Sequence, residues 1–560
     1  LPLPILLWQF DVANISGAYV GLGFSIIVLT FLYAFLSKHK KIKIALGASF
    51  IAIILLTVVL FIYKDKDFVK NSSIFGPITE ISIQKNTFQT RLISWRAAFL
   101  DFKNHPILGT GYGNFSITFD KYFDPVFYNH TRGETYFDKA HNNVIEIGST
   151  TGMLGLLTYL SIFLALAYYL IGGYYKKTIS LHEFVLISCL LVAYFVQNLA
   201  VFDSLSTYIT FMMVLAYVYW LHTSRSEQNV AEKKNINATE NHSFDNKEII
   251  TLAVSSVLLL IVAYQYNIKV WQMLSTTIEG QKAYAQGRVD DTIEFYKKAF
   301  SYNTILDRDS RSSFVNIFAG NPMILNNVTA DKRQEVLDFV IETAEANVQY
   351  NKQDSLMQMI LAQVYNVAAT YNIPNGDSQG NAQNFYYYSD KALRAIDASI
   401  EASPRRIPIY FQKAQFLLTR GEKEKAIETL KYAENLNPDY PDSFCYLGRA
   451  YLLLNQSKEG YEEIGKCLDL AVGSDVLNSA QLVRGDYLKH FEEAKDWPRV
   501  IRLYEILTGL EKNNAENWVK LANLYKEKGD NEKAKIAAEE AIKINPGLAN
   551  YAGDFIDSLK

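Results

Sequence analysis

The chain has 560 residues, which at roughly 150 per domain suggests about three or four domains. Hydrophobic residues make up 49% and charged residues 20%, which excludes a disordered chain, and a net charge of −3 gives no sign of a nucleic-acid-binding protein. Three cysteines, Cys189, Cys445 and Cys467, with no CxxC, exclude a disulfide-dense scaffold and a zinc ribbon.

A mean hydropathy of −0.01 averages two unlike halves. Residues 1–270 hold several apolar runs, whereas 271–560 are charge-rich and helical in pattern. The chain opens on Leu1 inside an apolar stretch, and an N-terminal portion is expected to be missing. Crossing the hydrocarbon core takes about 20 apolar residues, because backbone N–H groups find no water there. Stretches 17–36, 44–63, 152–173, 184–202, 206–222 and 249–267 meet or approach that length. Lys38, Lys40, Lys41 and Lys43 follow the first, Lys176 and Lys177 the third, and Arg225, Lys233 and Lys234 the fifth. The positive-inside rule puts these three connections in the cytoplasm. Segment 64–151, the short turn at Asp203 and everything after 268 are then expected outside.

Segment 64–151 is far longer than an ordinary connection, and long loops tend to carry function. It holds an amphipathic stretch, Thr90–Leu100 (TRLISWRAAFL), then a Pro/Gly turn region, Asn104–Phe115 (NHPILGTGYGNF). An aromatic run follows, with Tyr122, Phe123, Phe127, Tyr128, Tyr136 and Phe137, and the loop ends in Ala140-His141-Asn142-Asn143. An imidazole titrates near working pH and suits proton abstraction from a hydroxyl. Guanidinium groups suit phosphate oxygens, which they bind bidentately. The plainer reading of His141 is a helix-start residue, and of Arg91 and Arg96 the wet face of an amphipathic helix. His105 and His130 read as solvated loop residues. The loop rings read either as a private core or as sugar-stacking surfaces, and Glu134, Asp138 and Glu146 are equal candidates to orient the histidine. No carboxylate cluster suited to a divalent metal gathers in the loop, so no metal and no cofactor is expected.

His141-Asn142, nine intervening residues, Gly152, two residues and Gly155 match the H-[NSQ]-x9-G-x-x-[GTY] signature of the O-antigen ligase family. The upstream Ser94-Trp95-Arg96-Ala97 segment and Pro106…Gly109-x-Gly111-x-Gly113 resemble the same family's outer loop. The motifs cover about 85–160, and the flanking spans extend the similarity to about 12–222. The resemblance implies a GT-C-type membrane glycosyltransferase that moves a glycan from a polyprenyl-diphosphate carrier to lipid, protein or polysaccharide. It implies a catalytic role for His141 and diphosphate binding for Arg91, with Arg96 as a nearby alternative. Asn142, Gly152 and Gly155 would be structural. The family's second arginine should fall near Ile15-Ser16-Gly17-Ala18; Ser16 takes its place, so Arg132 or Lys139 is a candidate substitute.

In the second half, Tyr410, Ala414, Gly421, Ala426 and Ala433 are echoed by Phe444, Gly448, Asn455 and Cys467, with leading pairs offset by 34 residues. Trp518, Ala522, Tyr525, Gly529, Ala534 and Ala541 repeat the pattern. That period is the tetratricopeptide repeat's. A small insertion at Gly473–Ala480 and a degenerate repeat around Tyr487, Phe491 and Tyr504 fill the gap, with looser copies at 273–304 and 354–402. Cys445 and Cys467 read as two buried thiols, or as a disulfide in an oxidising compartment.

The expected architecture is all-α. A polytopic domain, 1–222, carries the outer loop 64–151; a cytoplasmic linker, 223–248, and a last span, 249–269, precede repeats over 270–560. The expected function is metal-independent, inverting glycan transfer at the bacterial cytoplasmic membrane. Loop and repeats would lie on the periplasmic side, and the repeats would bind a protein partner or acceptor. The alternative is a non-catalytic membrane-anchored repeat scaffold.

Overall fold

The computed structural model describes residues 16–63, 66, 69, 85–131, 133, 135–234, 245–372, 379–470 and 477–559. The chain divides into two compact units, Leu1–Tyr264 and Gln265–Lys560. The described residues of both are helical, with turns and short 3-10 and π segments.

The first unit contains α1 (Ser16–Leu36), α2 (Lys40–Ile62), α3 (Asn86–Asn104), α4 (Phe115–Lys121), α5 (Asn143–Tyr175), α6 (Leu181–Gln197), α7 (Leu205–Lys234) and α8 (Asn246–Ala263). Five of the described helices are long and apolar enough to cross a membrane, and α6 is a shorter apolar helix of 17 residues. The fourth expected span, 184–202, therefore starts earlier and stops at Gln197, and Asn198 caps its end. Exposure gives these helices their setting. α2 buries no residue and leaves Ile51 at 60%, Leu55 at 60% and Phe61 at 74% exposed. Apolar exposure on that scale is stable against lipid and not against water. The chain is a multi-pass membrane protein. α5, α6 and α7 share a core of Leu166, Leu170, Ile187, Phe211 and Val218, in which Tyr194 stacks on Phe211 at 4.4 Å.

The second unit is a succession of helix pairs. Ile407–Thr419 pairs with Lys423–Leu436, Pro441–Leu453 with Ser457–Leu470, and Ala515–Lys528 with Asn531–Ile544. Proline opens the first helix of two pairs, where its missing N–H costs nothing. At the expected small-residue position Gly448, a β-carbon would stand 2.8 Å from the Gly460 carbonyl, so only glycine lets the pair approach this closely. The degenerate repeat is built from Ala480–Leu482, a π segment Val483–Leu488, Lys489–Glu493 and Trp497–Leu510, with Tyr487 and Phe491 buried. Cys445 and Cys467 are buried but not free thiols: they form a disulfide across the second pair, Cα–Cα 5.3 Å. The two lie 22 residues apart, one on each helix of the pair, a placement that spacing alone left open.

Candidate functional site

The His141 region is assembled from three elements, each with an identifiable cause. α5 begins at Asn142, whose side-chain oxygen accepts from the N–H groups of Val144 and Ile145 at 3.0 and 3.2 Å, an N-cap that satisfies two orphan donors. The Asn142 amide also donates to the Leu199 carbonyl at 3.0 Å, and the Asn143 N–H to the Asn198 carbonyl at 2.8 Å. The cap thereby ties the start of α5 to the end of α6. His141 precedes it with φ +52, a left-handed conformation that holds a β-carbon residue only where the surroundings enforce it.

Those surroundings are specific. Glu146, one turn into α5 and buried, accepts the Ala140 N–H at 3.2 Å with one oxygen and the Lys139 ammonium at 3.0 Å with the other. The Trp95 indole N–H on α3 donates to the Ala140 carbonyl at 2.8 Å, so both sides of the Ala140 backbone are held. The His141 ring, half-buried, lies between Phe137 and Phe202, with centroids at 5.1 and 5.2 Å. Burial by itself would lower the Lys139 pKa, but the charge and hydrogen bond of Glu146 outweigh it, and the ammonium ends above its ordinary value.

α3 carries Arg91 and Arg96 on different faces. Its buried stripe is Thr90, Ser94, Ala97 and Asp101, small or polar residues that let it lie close to its neighbours. Arg91 stands one turn before Trp95, so the two share a side of the helix, and Arg91 is half-buried. Arg96 lies about 100° round from Trp95; its side chain is 75% exposed and 3.8 Å from Asp124, a weak surface pair.

Gly152 explains the spacing of the signature. α5 breaks there, with φ +66 and ψ −166, and the Pro106–Gly111 turn docks across the break. Met153 donates to the Pro106 carbonyl at 2.8 Å, Gly111 to Thr150 at 2.7 Å, and Thr110 to Ser149 at 3.2 Å. A β-carbon on Gly152 would stand 2.3 Å from the Ile107 oxygen, and one on Gly109 2.4 Å from the Thr150 carbonyl carbon. Gly155, one turn on, packs against its own helix at Thr151. Asp101 secures the turn from below: buried, it accepts from Thr110, from Thr118 at 2.8 Å, and lies 3.2 Å from His105 Nδ1.

The remaining loop candidates sort themselves. Phe123, Phe127, Tyr128 and Phe137 are buried with Phe119 in a private aromatic core, Phe119 being 5.5 Å from Phe123 and 5.3 Å from Phe137. His130 Nδ1 stands 3.4 Å from Asn86 Oδ1. Of the three acids considered as orienters, Glu146 holds the segment bearing the histidine, Asp138 is exposed, and Glu134 lies outside the described residues, as does Arg132. The loop also holds one Asp-x-Asp, Asp65-Lys66-Asp67, whose carboxylates lie outside the described residues too. The Ser16 side chain is likewise outside them.

Sequence reasoning missed Trp95's partner, 45 residues away, and the part played by Asp203. That carboxylate accepts from Asn143 at 2.9 Å, Tyr194 at 2.7 Å, Asn198 at 3.2 Å and Thr207 at 3.1 Å, joining α5, α6 and α7 beside the site. The available signal was a lone acid within an apolar run.

A family model described as O-antigen ligase matches residues 12–160, and one described as tetratricopeptide repeat matches 407–440 and 515–548. No curated protein matches the chain. Among solved structures, a thermophilic tetratricopeptide protein of Thermus thermophilus is 19% identical, covering 36% of this chain and 91% of its own, with a TM-score of 0.26. YrrB, described as a tetratricopeptide protein with an unusual peptide-binding site, is 17% identical over 38% of this chain and 99% of its own, TM-score 0.21. A human IFIT1 dimer is 13% identical over 83% of this chain and 96% of its own, TM-score 0.32. Residues 12–160 thus carry an O-antigen ligase domain, and tetratricopeptide repeats follow it in the same multi-pass membrane chain.

Proposed function

We propose that the chain is an inverting glycosyltransferase of the bacterial cytoplasmic membrane, working on its periplasmic side. It moves a glycan from a polyprenyl-diphosphate carrier to an acceptor hydroxyl. An imidazole nitrogen of His141 takes the acceptor's proton as the acceptor oxygen attacks the anomeric carbon. The carbon–oxygen bond to the diphosphate breaks on the opposite face, and the diphosphate leaves with the electron pair. One displacement inverts the centre, and a diphosphate is a good enough leaving group that no covalent enzyme intermediate is needed. Arg91 neutralises the departing phosphates, Arg96 is the secondary candidate, and Lys139 adds positive charge next to the histidine. No resident metal takes part in this scheme.

The observation that carries the reading is the left-handed His141, next to an Ala140 backbone held on both sides by Trp95 and Glu146, at the point where an aqueous loop enters a span. Ile107 and Leu108, 63% and 71% exposed beside the Gly152 break, support a site level with the lipid surface, where a carrier head group would lie. The disulfide in the repeats supports an oxidising compartment for the second unit, in agreement with the lysine distribution. The repeats there would bind a protein partner or present an acceptor protein. In membranes supplied with carrier-linked glycan, His141→Ala is expected to leave the carrier loaded and the acceptor bare. Normal transfer by this variant would remove the reading and leave a membrane-anchored scaffold.

A further inference from the structure

The first unit contains a cavity whose lining does not include His141. It has a volume of about 880 Å³ and opens among the α1–α2 turn, the start of α2 and the α5–α6 turn. Tyr33 near the end of α1 bonds His182 near the start of α6, Oη to Nδ1 at 2.7 Å, so these helices are antiparallel. Asn143, at the start of α5, meets Asn198 at the end of α6. The cavity is therefore at the end of the bundle opposite the one that carries His141.

Its lining is divided by chemistry. Lys38 and His39 come from one turn, Lys177 and His182 from the other, and Ser37 and Ser180 add hydroxyls. Below them Ile42, Leu46, Ile179 and Leu181 form an apolar wall. Tyr33, Tyr174 and Tyr175 complete the lining, the residue type that settles at head-group depth. Two features show that the turns are built to a fixed shape. Lys177 adopts φ +60, a costly conformation for a lysine, and its N–H donates to the Tyr174 carbonyl at 3.1 Å. Ser180 and Glu183 form a reciprocal capping box that fixes the start of α6 and engages the Glu183 carboxylate with the Ser180 N–H.

We infer that this cavity is a binding site for an anionic phospholipid. Its phosphate would sit among Lys38, His39, Lys177 and His182, and its acyl chains would run along Ile42, Leu46 and Leu181. A soluble phosphate needs only the basic rim, whereas the apolar wall below the rim fits a ligand with a hydrocarbon part, and basic pockets between spans characteristically hold such head groups. The site does not depend on the glycosyltransferase reading.

The test titrates the purified full chain in detergent with dioleoyl phosphatidylglycerol, dioleoyl phosphatidylcholine or inorganic phosphate, and reads occupancy by native mass spectrometry. Phosphatidylglycerol is expected to bind in preference to phosphatidylcholine. The combined Lys38→Gln, His39→Gln, Lys177→Gln variant should weaken it by about tenfold or more, whereas Lys40→Gln with Lys41→Gln, on the same surface but outside the lining, should change little. Tyr33→Phe, which only releases His182, should weaken binding partially and decides the matter if the triple variant does not fold. Equal binding of the two lipids, equal loss in lining and control variants, or an unchanged Tyr33→Phe would overturn the site. Displacement of phosphatidylglycerol by phosphate alone would overturn the lipid assignment in favour of a soluble ligand.

Discussion

Gly152 shows how much one hydrogen atom in place of a methyl can carry. Its φ of +66 is a strained value for any other residue, and a β-carbon there would stand 2.3 Å from the Ile107 carbonyl oxygen of a different element. Gly152→Ala is expected to cost about 1–3 kcal/mol in backbone strain before the clash is counted, and to unseat the Pro106–Gly111 turn. Gly23→Ala, mid-helix with nothing within 4 Å, should instead be neutral or stabilising by up to about 1 kcal/mol. Thermal melts of the two full-length variants would separate the cases, and equal melting temperatures would contradict the docking argument. His490 offers a test of sign. Burial, chiefly, lowers its pKa, with the Tyr461 ring stacked at 3.5 Å, and Glu493 opposes the shift. A histidine depressed in the folded state costs stability once the unfolded chain takes up a proton. Its penalty should therefore be absent above pH 6.5 and grow as pH falls below it. Replacing His490 with Phe should remove that part of the acid sensitivity from a pH series of melts.

At the scale of elements, the signature residues were legible and their reasons were not. The motif singled out His141, Asn142 and Gly152, but Gly152 meets Ile107 and Trp95 meets Ala140 across dozens of residues, and no local pattern encodes such pairs. The end of α6 was misjudged because Leu199, Ala200, Val201 and Phe202 continue the apolar run after the helix stops. Hydrophobicity does not distinguish a spanning turn of helix from a turn whose carbonyls are wanted by Asn142 and Asn143. The repeats were easier, since a fixed period with small residues at close approaches is visible without coordinates. Within them, the Cys445–Cys467 bond spans 22 residues, and closing a loop of that length stabilises by about 3 kcal/mol in the chain-entropy account. Reduction, or Cys445→Ala with Cys467→Ala, should lower the unfolding temperature of the repeats by several degrees. An unchanged melt under reductant would show that the helix pair needs no covalent link.

For the whole molecule, the proposed transfer site and the proposed role of the repeats both depend on one membrane topology. That topology is open to direct labelling. A cysteine placed at the exposed Asp138 should react with an impermeant maleimide in intact cells, and one at Lys40 only after permeabilisation. The reverse pattern would invert the arrangement. The measurement closest to the central claim is single-turnover transfer by the purified full chain from a polyprenyl-diphosphate glycan, with His141→Ala and Arg91→Ala compared at saturating and limiting carrier. The account predicts that His141→Ala lowers the rate by about 10²–10⁴ at unchanged carrier affinity, while Arg91→Ala weakens binding of the diphosphate carrier. Transfer by His141→Ala at the full rate would contradict it.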